Sequence, residues 1–370
     1  MRIWGSPGHY IQGAGVIDKL YEYANSFGNT HLYIVDEFLI KMFDEKVAKS
    51  YKNQNEYECI SFSGVISHKN IDATMNKCKS SDVVIGIGGG KTIDVAKMVA
   101  KQMNARLIVC PTIASCDAPT SAMSILYSDE GEMNEIVIHH YHPDLVLVDT
   151  AVIINAPVQF LTAGIGDALS TYYEGLSNER KGHPNYIWCD SEIGISTLSA
   201  RAIAKACMDT LYHDGLIALE CAKNKIISPQ FENVVEANIL MSGIGFENVG
   251  CSVAHAIGNA FTAIPEGEKK SHGERVGFGT LSLLIAEEYS NEEIEKAFNF
   301  CIECGIPTTL EDLGIENDIE KLSIIAKSSL TASSWEASTY AADEESIINL
   351  IRATDCLGKY YKNKHIILHN

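Results

Sequence analysis

An α/β N-terminal domain followed by an all-α C-terminal domain is the fold class this sequence predicts. Three observations carry it. The first 150 or so residues alternate short apolar runs with helical patterns. One of the strand-to-helix junctions is a cluster of glycines, Gly86 to Gly90. After Pro157 the segments lengthen and β-branched runs thin out. Strands alternating with helices imply a mainly parallel sheet. We therefore expect a sheet domain over residues 1–156 and a helical domain over 157–370.

The strands of the first domain are read from apolar runs with sharp ends. His31–Asp36 ends in a carboxylate, Ser81–Gly86 runs into glycines, Arg106–Cys110 stops at Pro111, and Leu145–Asp149 is the fourth. Between them, Thr92–Met103 places Ile93, Ala96, Val99 and Ala100 on one helical face. Met123–Tyr127 and Ile136–His140 flank Ser128-Asp-Glu-Gly131, which predicts a β-hairpin inserted in the sheet domain. In the second domain the helical stretches are Gln159–Glu174, Glu192–Tyr212, Glu232–Ser242, Gly277–Tyr289 and Ile294–Cys304. The polar stretch Ser177–Asp190 reads as a long loop. No internal repeat or low-complexity tract is present.

Charge and composition narrow the function classes. With 29 basic and 48 acidic side chains the formal charge is −19, which repels nucleic-acid backbones and anionic membranes. No apolar run reaches the roughly 20 residues of a membrane span. The N-terminus lacks the apolar stretch of a signal peptide. The 11 cysteines are scattered and odd in number, as expected of reduced thiols in the cytoplasm. Cys301-x-x-Cys304 has no second pair to complete a zinc site, and reads as one helix face. His139, His140 and His142 cluster on the hairpin and read as solvated.

Gly86-Ile-Gly-Gly-Gly-Lys-Thr-Ile-Asp94 follows a strand and opens a helix, the arrangement of an anion site. Glycines permit positive φ and close backbone approach, and the helix N-terminus directs its N–H groups at a phosphate. Two known phosphate loops miss. Only three residues separate Gly86 from Gly90, one short of a P-loop. A GxGxxG beginning at Gly86 would need glycine at position 91, which is Lys91. Asp36 ends an earlier strand, where a carboxylate can accept both hydroxyls of an adenosine ribose and repel a 2′-phosphate. That favours NAD over NADP, although a capping or turn aspartate would satisfy the same position.

Asp167, His255 and His272 are candidate metal ligands. Each lies among small residues in or beside an apolar helical segment, in Gly164-Ile-Gly-Asp-Ala168, His255-Ala-Ile-Gly-Asn259 and Ser271-His-Gly-Glu274. One carboxylate and two imidazoles suit zinc with a fourth position open to substrate. Spacing alone does not separate these residues from ordinary core histidines.

Together these segments resemble the glycerol dehydrogenase family within the iron-containing alcohol dehydrogenase superfamily. The resemblance is carried also by Ser6–Gly13, Pro111–Ser121, Tyr127–Gly131, Gly245–Glu247 and Ser271–Val276, and it fades beyond about residue 310. It implies a Rossmann-like N-terminal domain and a helical C-terminal domain, the fold shared with dehydroquinate synthase. It places zinc on Asp167, His255 and His272, with Fe²⁺ or Mn²⁺ as possible substitutes. Iron-dependent relatives need a fourth ligand, a histidine four residues after the aspartate, where this chain has Thr171. Asp36 would hold the adenosine ribose, and Gly88, Gly89, Gly90 and Lys91 the pyrophosphate. Thr112, Ser115, Ser121 and Tyr127 would line the nucleotide path. Asp117 would face substrate hydroxyls and Phe246 would bound the pocket. Asp117 and His255 are the residues expected at the chemistry.

The activity so implied is reversible, NAD-dependent oxidation of a small vicinal diol, glycerol to dihydroxyacetone first. A cytoplasmic homo-oligomer, an octamer by resemblance, is expected. Two departures bear on it. Gly258 stands where relatives carry a histidine, so a proton relay through that position would differ. Glu266–Lys270 is charged and Ser271 replaces a common tyrosine, which bears on the choice of polyol. A glycerol-1-phosphate dehydrogenase or a dehydroquinate synthase would need cationic groups such as Lys269, Lys270 and Arg275, and Pro111–Ser121 argues against both. A nucleotide triphosphatase is disfavoured by the glycine spacing. A catalytically silent NAD sensor would have no use for the ligand trio.

Overall fold

The computed structural model describes residues 1–51, 57–128, 133–188 and 193–369. Two compact units make up the chain: Gly5–Pro157, and Val158–Asn370 together with Met1–Trp4.

The Gly5–Pro157 unit runs β1 (His9–Gly13), α1 (Leu20–Phe27), β2 (His31–Asp36), α2 (Ile40–Lys46), β3 (Tyr57–Phe62), α3 (His68–Met75), β4 (Val83–Gly88), α4 (Gly90–Met103), β5 (Arg106–Pro111), β6 (Met123–Tyr127), β7 (Met133–Ile138), β8 (Leu145–Asp149) and α5 (Thr150–Ile153). Six strands form one parallel sheet in the order β1-β8-β5-β4-β2-β3. Every residue of β4 and β8 is buried, as is β2 up to Asp36. Strands covered on both faces read as continuous apolar runs, which is why these were visible in the sequence. The edge strands β1 and β3 are half-exposed and mixed in polarity, and no pattern announced them.

Strand order fixes where a ligand can sit. From β2 the chain steps outward to β3, then returns across β2 to β4 and on to β5. The direction therefore reverses between β2 and β4, and crevices in open α/β sheets form beyond the carboxyl ends of strands at such a point. Asp36 ends β2 and Gly88 ends β4.

Strands β6 and β7 pair antiparallel, with Met123 opposite Ile138 and Ile125 opposite Ile136. The expected hairpin turn extends to residues 129–131, which lie outside the described residues. His139 corrects the expectation of three solvated histidines: it is 3% exposed, with Nε2 2.9 Å from Ser124 Oγ. Alternation explains it. Ile136 and Ile138 take the outward positions, at 49% and 37% exposure, so the next inward position falls to His139. His140 is exposed and His142 half-buried.

The second unit contains α6 (Val158–Lys181), α7 (Leu198–Lys223), α8 (Pro229–Glu236), α9 (Ser242–Val249), α10 (Val253–Ala260), α11 (Pro265–Glu268), α12 (His272–Ala286), α13 (Asn291–Cys304), α14 (Ile319–Ser329) and α15 (Glu344–His369). A π-helical turn, Ala237–Met241, joins α8 to α9. The loop expected from Ser177 begins later, because α6 continues to Lys181. Ser177 Oγ and Asn178 Nδ2 donate to the carbonyls of Tyr173 and Glu174 one turn back, at 3.2 and 2.8 Å. Polar side chains satisfied in this way do not interrupt a helix. Cys301 and Cys304 are both buried on α13. None of the described cysteines forms a disulfide. Among the described residues no helix is long and apolar enough to cross a membrane.

Glycines set the approach of α6, α10 and α12. A Cβ on Gly166 would meet the carbonyl oxygen of Gly273 at 2.4 Å, and one on Gly279 would meet that of Ala254 at 2.1 Å. These helices pack backbone to backbone, and the three candidate metal ligands stand on them.

Candidate active site

In the helical unit, Asp167, His255 and His272 come together. Asp167 lies in the middle of α6 and is 1% exposed. Its Oδ1 is 3.2 Å from His272 Nε2 and 3.8 Å from His255 Nε2. One ligand atom from each residue lies within 4.8 Å of the others. The two imidazole rings are 5.3 Å apart, centroid to centroid. His272 is the more open of the pair, its side chain 36% exposed against 12% for His255.

Local structure places the two candidate histidine ligands. His272 is the first residue of α12, whose N-cap Ser271 forms a reciprocal capping box with Glu274: Ser271 Oγ accepts from the Glu274 amide, and the Glu274 carboxylate accepts from the Ser271 amide at 2.9 Å. The Ser271-x-x-Glu274 spacing was legible in the sequence and was missed. His255 sits in the first turn of α10. Its Nδ1 is 2.6 Å from Glu174 Oε2, so Nε2 is the nitrogen turned toward Asp167. Burial alone would lower the imidazole's proton affinity. The neighbouring Cys251 and Glu174 outweigh burial and raise its pKa well above the usual histidine range.

The residues present fit a divalent cation. They offer one carboxylate and two imidazoles, converging from three helices, and a carboxylate behind one imidazole in the usual outer-shell arrangement. Thr171, four residues after Asp167, is buried with Oγ1 3.3 Å from Ser242 Oγ. Phe246 lies on α9, 9% exposed, with its ring 6.5 Å from that of Tyr186. Gly258 meets α12: a Cβ there would lie 2.9 Å from Val276 Cα, so this packing leaves no room for a histidine at the position.

In the sheet unit, the glycine turn and Asp36 come together at the reversal between β2 and β4. A Cβ on Gly88 would lie 3.1 Å from Asp36 Cβ and 2.8 Å from Thr92 Oγ1. Asp36 Oδ1 accepts from the Phe38 amide at 3.1 Å, so it also caps the turn that follows. Gly89 is the N-cap of α4, Gly90 its first residue, and no side chain caps this end. The helix N–H groups are thus open to an anion, with Lys91 exposed beside them. The expectation that these glycines serve positive φ is corrected: none of Gly86, Gly88, Gly89 and Gly90 adopts it. Their need is space. A Cβ on Gly86 would strike Ala96 Cβ at 2.7 Å, and those on Gly89 and Gly90 would press on Ile113 and Cys116 at 3.0 and 3.3 Å.

The segment after β5 covers this turn. The Thr112 amide donates to Gly88 O at 3.1 Å, and Ser115 and Asp117 follow, both partly exposed. Ser121 is buried; its Oγ accepts from Lys97 Nζ at 3.2 Å. Tyr127, at the end of β6, donates its amide to Ile66 O at 2.7 Å. Sequence reasoning missed Lys97 and Asp94, whose buried ion pair on α4, at 3.1 Å, anchors this segment. Lys97 Nζ donates to Ala118 O and Met123 O at 2.7 and 2.6 Å, and Asp94 Oδ2 accepts from the Ile125 amide at 3.0 Å.

Comparison with known proteins places this architecture. Residues 7–150 match the family described as iron-containing alcohol dehydrogenase. A glycerol dehydrogenase from Citrobacter freundii is 37% identical over 98% of this chain and 99% of its own. The crystal structure of glycerol dehydrogenase from Schizosaccharomyces pombe superposes with a TM-score of 0.93 at 35% identity, covering 99% of this chain and 93% of that one. A glycolaldehyde reductase from Halobacterium salinarum is 36% identical over 85% of this chain and 86% of its own. The class is the iron-containing alcohol dehydrogenase superfamily, with its parallel-sheet domain and helical domain. Within it, the chain belongs to the glycerol dehydrogenase family.

Proposed function

We propose that this chain catalyses the reversible, NAD-dependent oxidation of glycerol to dihydroxyacetone, with a zinc ion held by Asp167, His255 and His272. The observation that carries the reading is the convergence of these three donors, within 4.8 Å, in a chain of this family. When bound, a divalent cation would lower the pKa of an alcohol and polarise a carbonyl. Zinc is favoured over iron because Thr171 offers no fourth imidazole; Fe²⁺ or Mn²⁺ remain substitutes to test.

The chain's own residues divide the remaining work. Asp36 accepts the ribose hydroxyls and repels a 2′-phosphate. The uncapped end of α4, with Gly88, Gly89, Gly90 and Lys91, holds the pyrophosphate. Thr112, Ser115, Ser121 and Tyr127 line the nucleotide path, Asp117 orients the substrate hydroxyls, and Phe246 limits the size of the pocket. Orientation of the reacting carbon supplies much of the rate.

NADH formation from NAD⁺ and glycerol tests this, before and after chelation, after zinc add-back, and in His255→Ala. Activity lost on chelation, restored by zinc and absent in the variant is the expected result. No oxidation of glycerol or any other diol with any divalent metal overturns the reading. The likeness to the glycolaldehyde reductase supports a second substrate reading, reduction of a small hydroxyaldehyde. A ratio of kcat/KM for glycolaldehyde with NADH that exceeds the one for dihydroxyacetone would select it.

A further inference from the structure

Helix α6 supplies more than Asp167 to the metal centre. Seven and eleven residues on, two and three turns along the same face, stand Glu174 and Asn178. Both are buried, Glu174 completely at 0% exposure. Asn178 Nδ2 donates to Cys251 O at 3.0 Å and so holds the turn that leads into α10. Glu174 takes three donors from that turn and helix. Oε1 accepts from the amides of Ser252 and His255, at 2.7 and 3.0 Å, and Oε2 lies 2.6 Å from His255 Nδ1. The N-cap of α10, Ser252, makes no side-chain cap of its own, so the carboxylate of a different helix does that work.

We infer that Glu174 is a positioning residue that fixes the tautomer of His255, holding the proton on Nδ1 so that Nε2 presents a lone pair toward Asp167 and His272. This rests on the metal reading above. The two oxygens of Glu174 are not equivalent. Oε1 is committed to two backbone N–H groups, which only an oxygen can satisfy, and Oε2 is left to orient the ring. In Glu174→Gln the single oxygen is claimed by the backbone, and the –NH₂ group must face His255 Nδ1. A donor there demands a lone pair on Nδ1, and the neutral imidazole then carries its proton on Nε2, where a ligand atom is needed. An isosteric change is thus enough to turn a ligand into a non-ligand. Glu174, Cys251 and His255 also lie within 4.8 Å of one another. A second ion there would compete with the Glu174 hydrogen bond for Nδ1, so one ion per chain is expected.

The test is zinc affinity of the full chain, by competition with a chromophoric chelator, for the unmodified protein and Glu174→Gln. The variant should bind zinc at least about tenfold more weakly, with up to a hundredfold expected of an outer-shell partner. The melting temperature of its metal-free form should stay within a few degrees of the unmodified chain, which separates this role from a merely structural one. Affinity within twofold of the unmodified protein, or two zinc ions per chain, overturns the inference. If Glu174→Gln does not fold, ¹⁵N-histidine spectra of the unmodified, zinc-loaded protein decide, with His255 assigned by its absence from His255→Ala. A proton on Nδ1 supports the inference and a proton on Nε2 overturns it. If the unmodified chain binds no zinc, the metal reading falls as well. If it binds zinc and the variant binds equally, only the role of Glu174 falls.

Discussion

The Cβ that Gly273 lacks would stand 1.7 Å from the carbonyl oxygen of Ala163. Helix α12 therefore crosses α6 with no side chain between them, one residue after His272 and four residues before Asp167. The first prediction follows from that contact. In Gly273→Ala the methyl cannot be accommodated by a rotamer change, because the obstacle is backbone, and the helices must separate. Overpacking of this kind costs about 1–3 kcal/mol, occasionally more, and here it also draws Nε2 of His272 away from Asp167 Oδ1, now 3.2 Å apart. Urea unfolding should show a loss of at least about 2 kcal/mol, with zinc affinity falling in parallel. Gly305→Ala is a comparison of another kind: no atom lies within 4 Å of its Cβ, and its cost comes from a φ of +76° alone. It should leave zinc affinity unchanged.

Lys97 predicts a large stability effect from one charge. Its ammonium is buried at 2% exposure, paired with Asp94 and donating to two carbonyls and Ser121 Oγ. Burial pushes the Asp94 carboxyl up, against the pull of Lys97 and of the Ile125 amide. Lys97→Met strands that carboxylate, and removing one partner of a buried pair costs about 3–5 kcal/mol. Adding Asp94→Asn keeps an acceptor for the Ile125 amide and removes the stranded charge, so the double variant should recover part of the loss. A double-mutant cycle by chemical denaturation measures the coupling. Additive losses would show that the pair is not a unit. Lys97→Met should also weaken NAD binding, because the Ala118–Met123 segment loses its anchor.

Much of this was legible in the sequence, and the misses have physical reasons. The strands β2, β4, β5 and β8 announced themselves because both their faces are covered. Strands β1 and β3, at the sheet edges, pair on one side only and carry mixed polarity. The trio Asp167, His255 and His272 was marked by residue type and resemblance. Its supports were not: Glu174 is an ordinary helical glutamate until the fold brings α10 across it. The glycine cluster itself was legible but part of its cause was misread, since close packing against Ala96 and Thr92 needs glycine there without any positive φ. Lys97 and Asp94 were missed because nothing local reveals that β6 will cover them.

Asp36 predicts the choice of dinucleotide. Its Cβ would touch a Cβ at Gly88, which puts the carboxylate at the mouth of the glycine turn where the adenosine end of NAD is proposed to lie. Asp36→Ser keeps a side-chain oxygen for the Phe38 amide and removes the negative charge. NADP⁺ should become a measurable cofactor, with the ratio of kcat/KM for NAD⁺ over NADP⁺ falling by about tenfold or more, the equivalent of roughly 1.4 kcal/mol. Steady-state kinetics with both dinucleotides checks it. An unchanged ratio would return Asp36 to the role of a turn cap.

His139 predicts an acid-sensitive stability. Ser124 Oγ lies 3.2 Å from Asp94 O, to which it donates, and 2.9 Å from His139 Nε2. With the hydroxyl hydrogen so used, the imidazole is best served with its proton on Nε2, leaving Nδ1 a buried acceptor without a partner. A second proton would have to enter at Nδ1, in a buried place. Burial first, then the charges of Lys97, Lys101 and His140, push the pKa down to about 3. An unfolded imidazole titrates near about 6.5. Between those values the unfolded chain binds the proton and the folded chain does not, so stability rises with pH across that window. The contribution is fully present above about pH 6.5 and is lost as pH falls toward 3, up to about 5 kcal/mol in all. His139→Gln keeps an N–H for Ser124 and cannot titrate. The stability of the unmodified chain minus that of the variant, from denaturant unfolding, should rise as pH goes from 4 to 7, with a slope approaching about 1.4 kcal/mol per pH unit. A difference that does not change with pH would mean that the folded His139 titrates as a solvated histidine does, and that its burial carries no electrostatic cost.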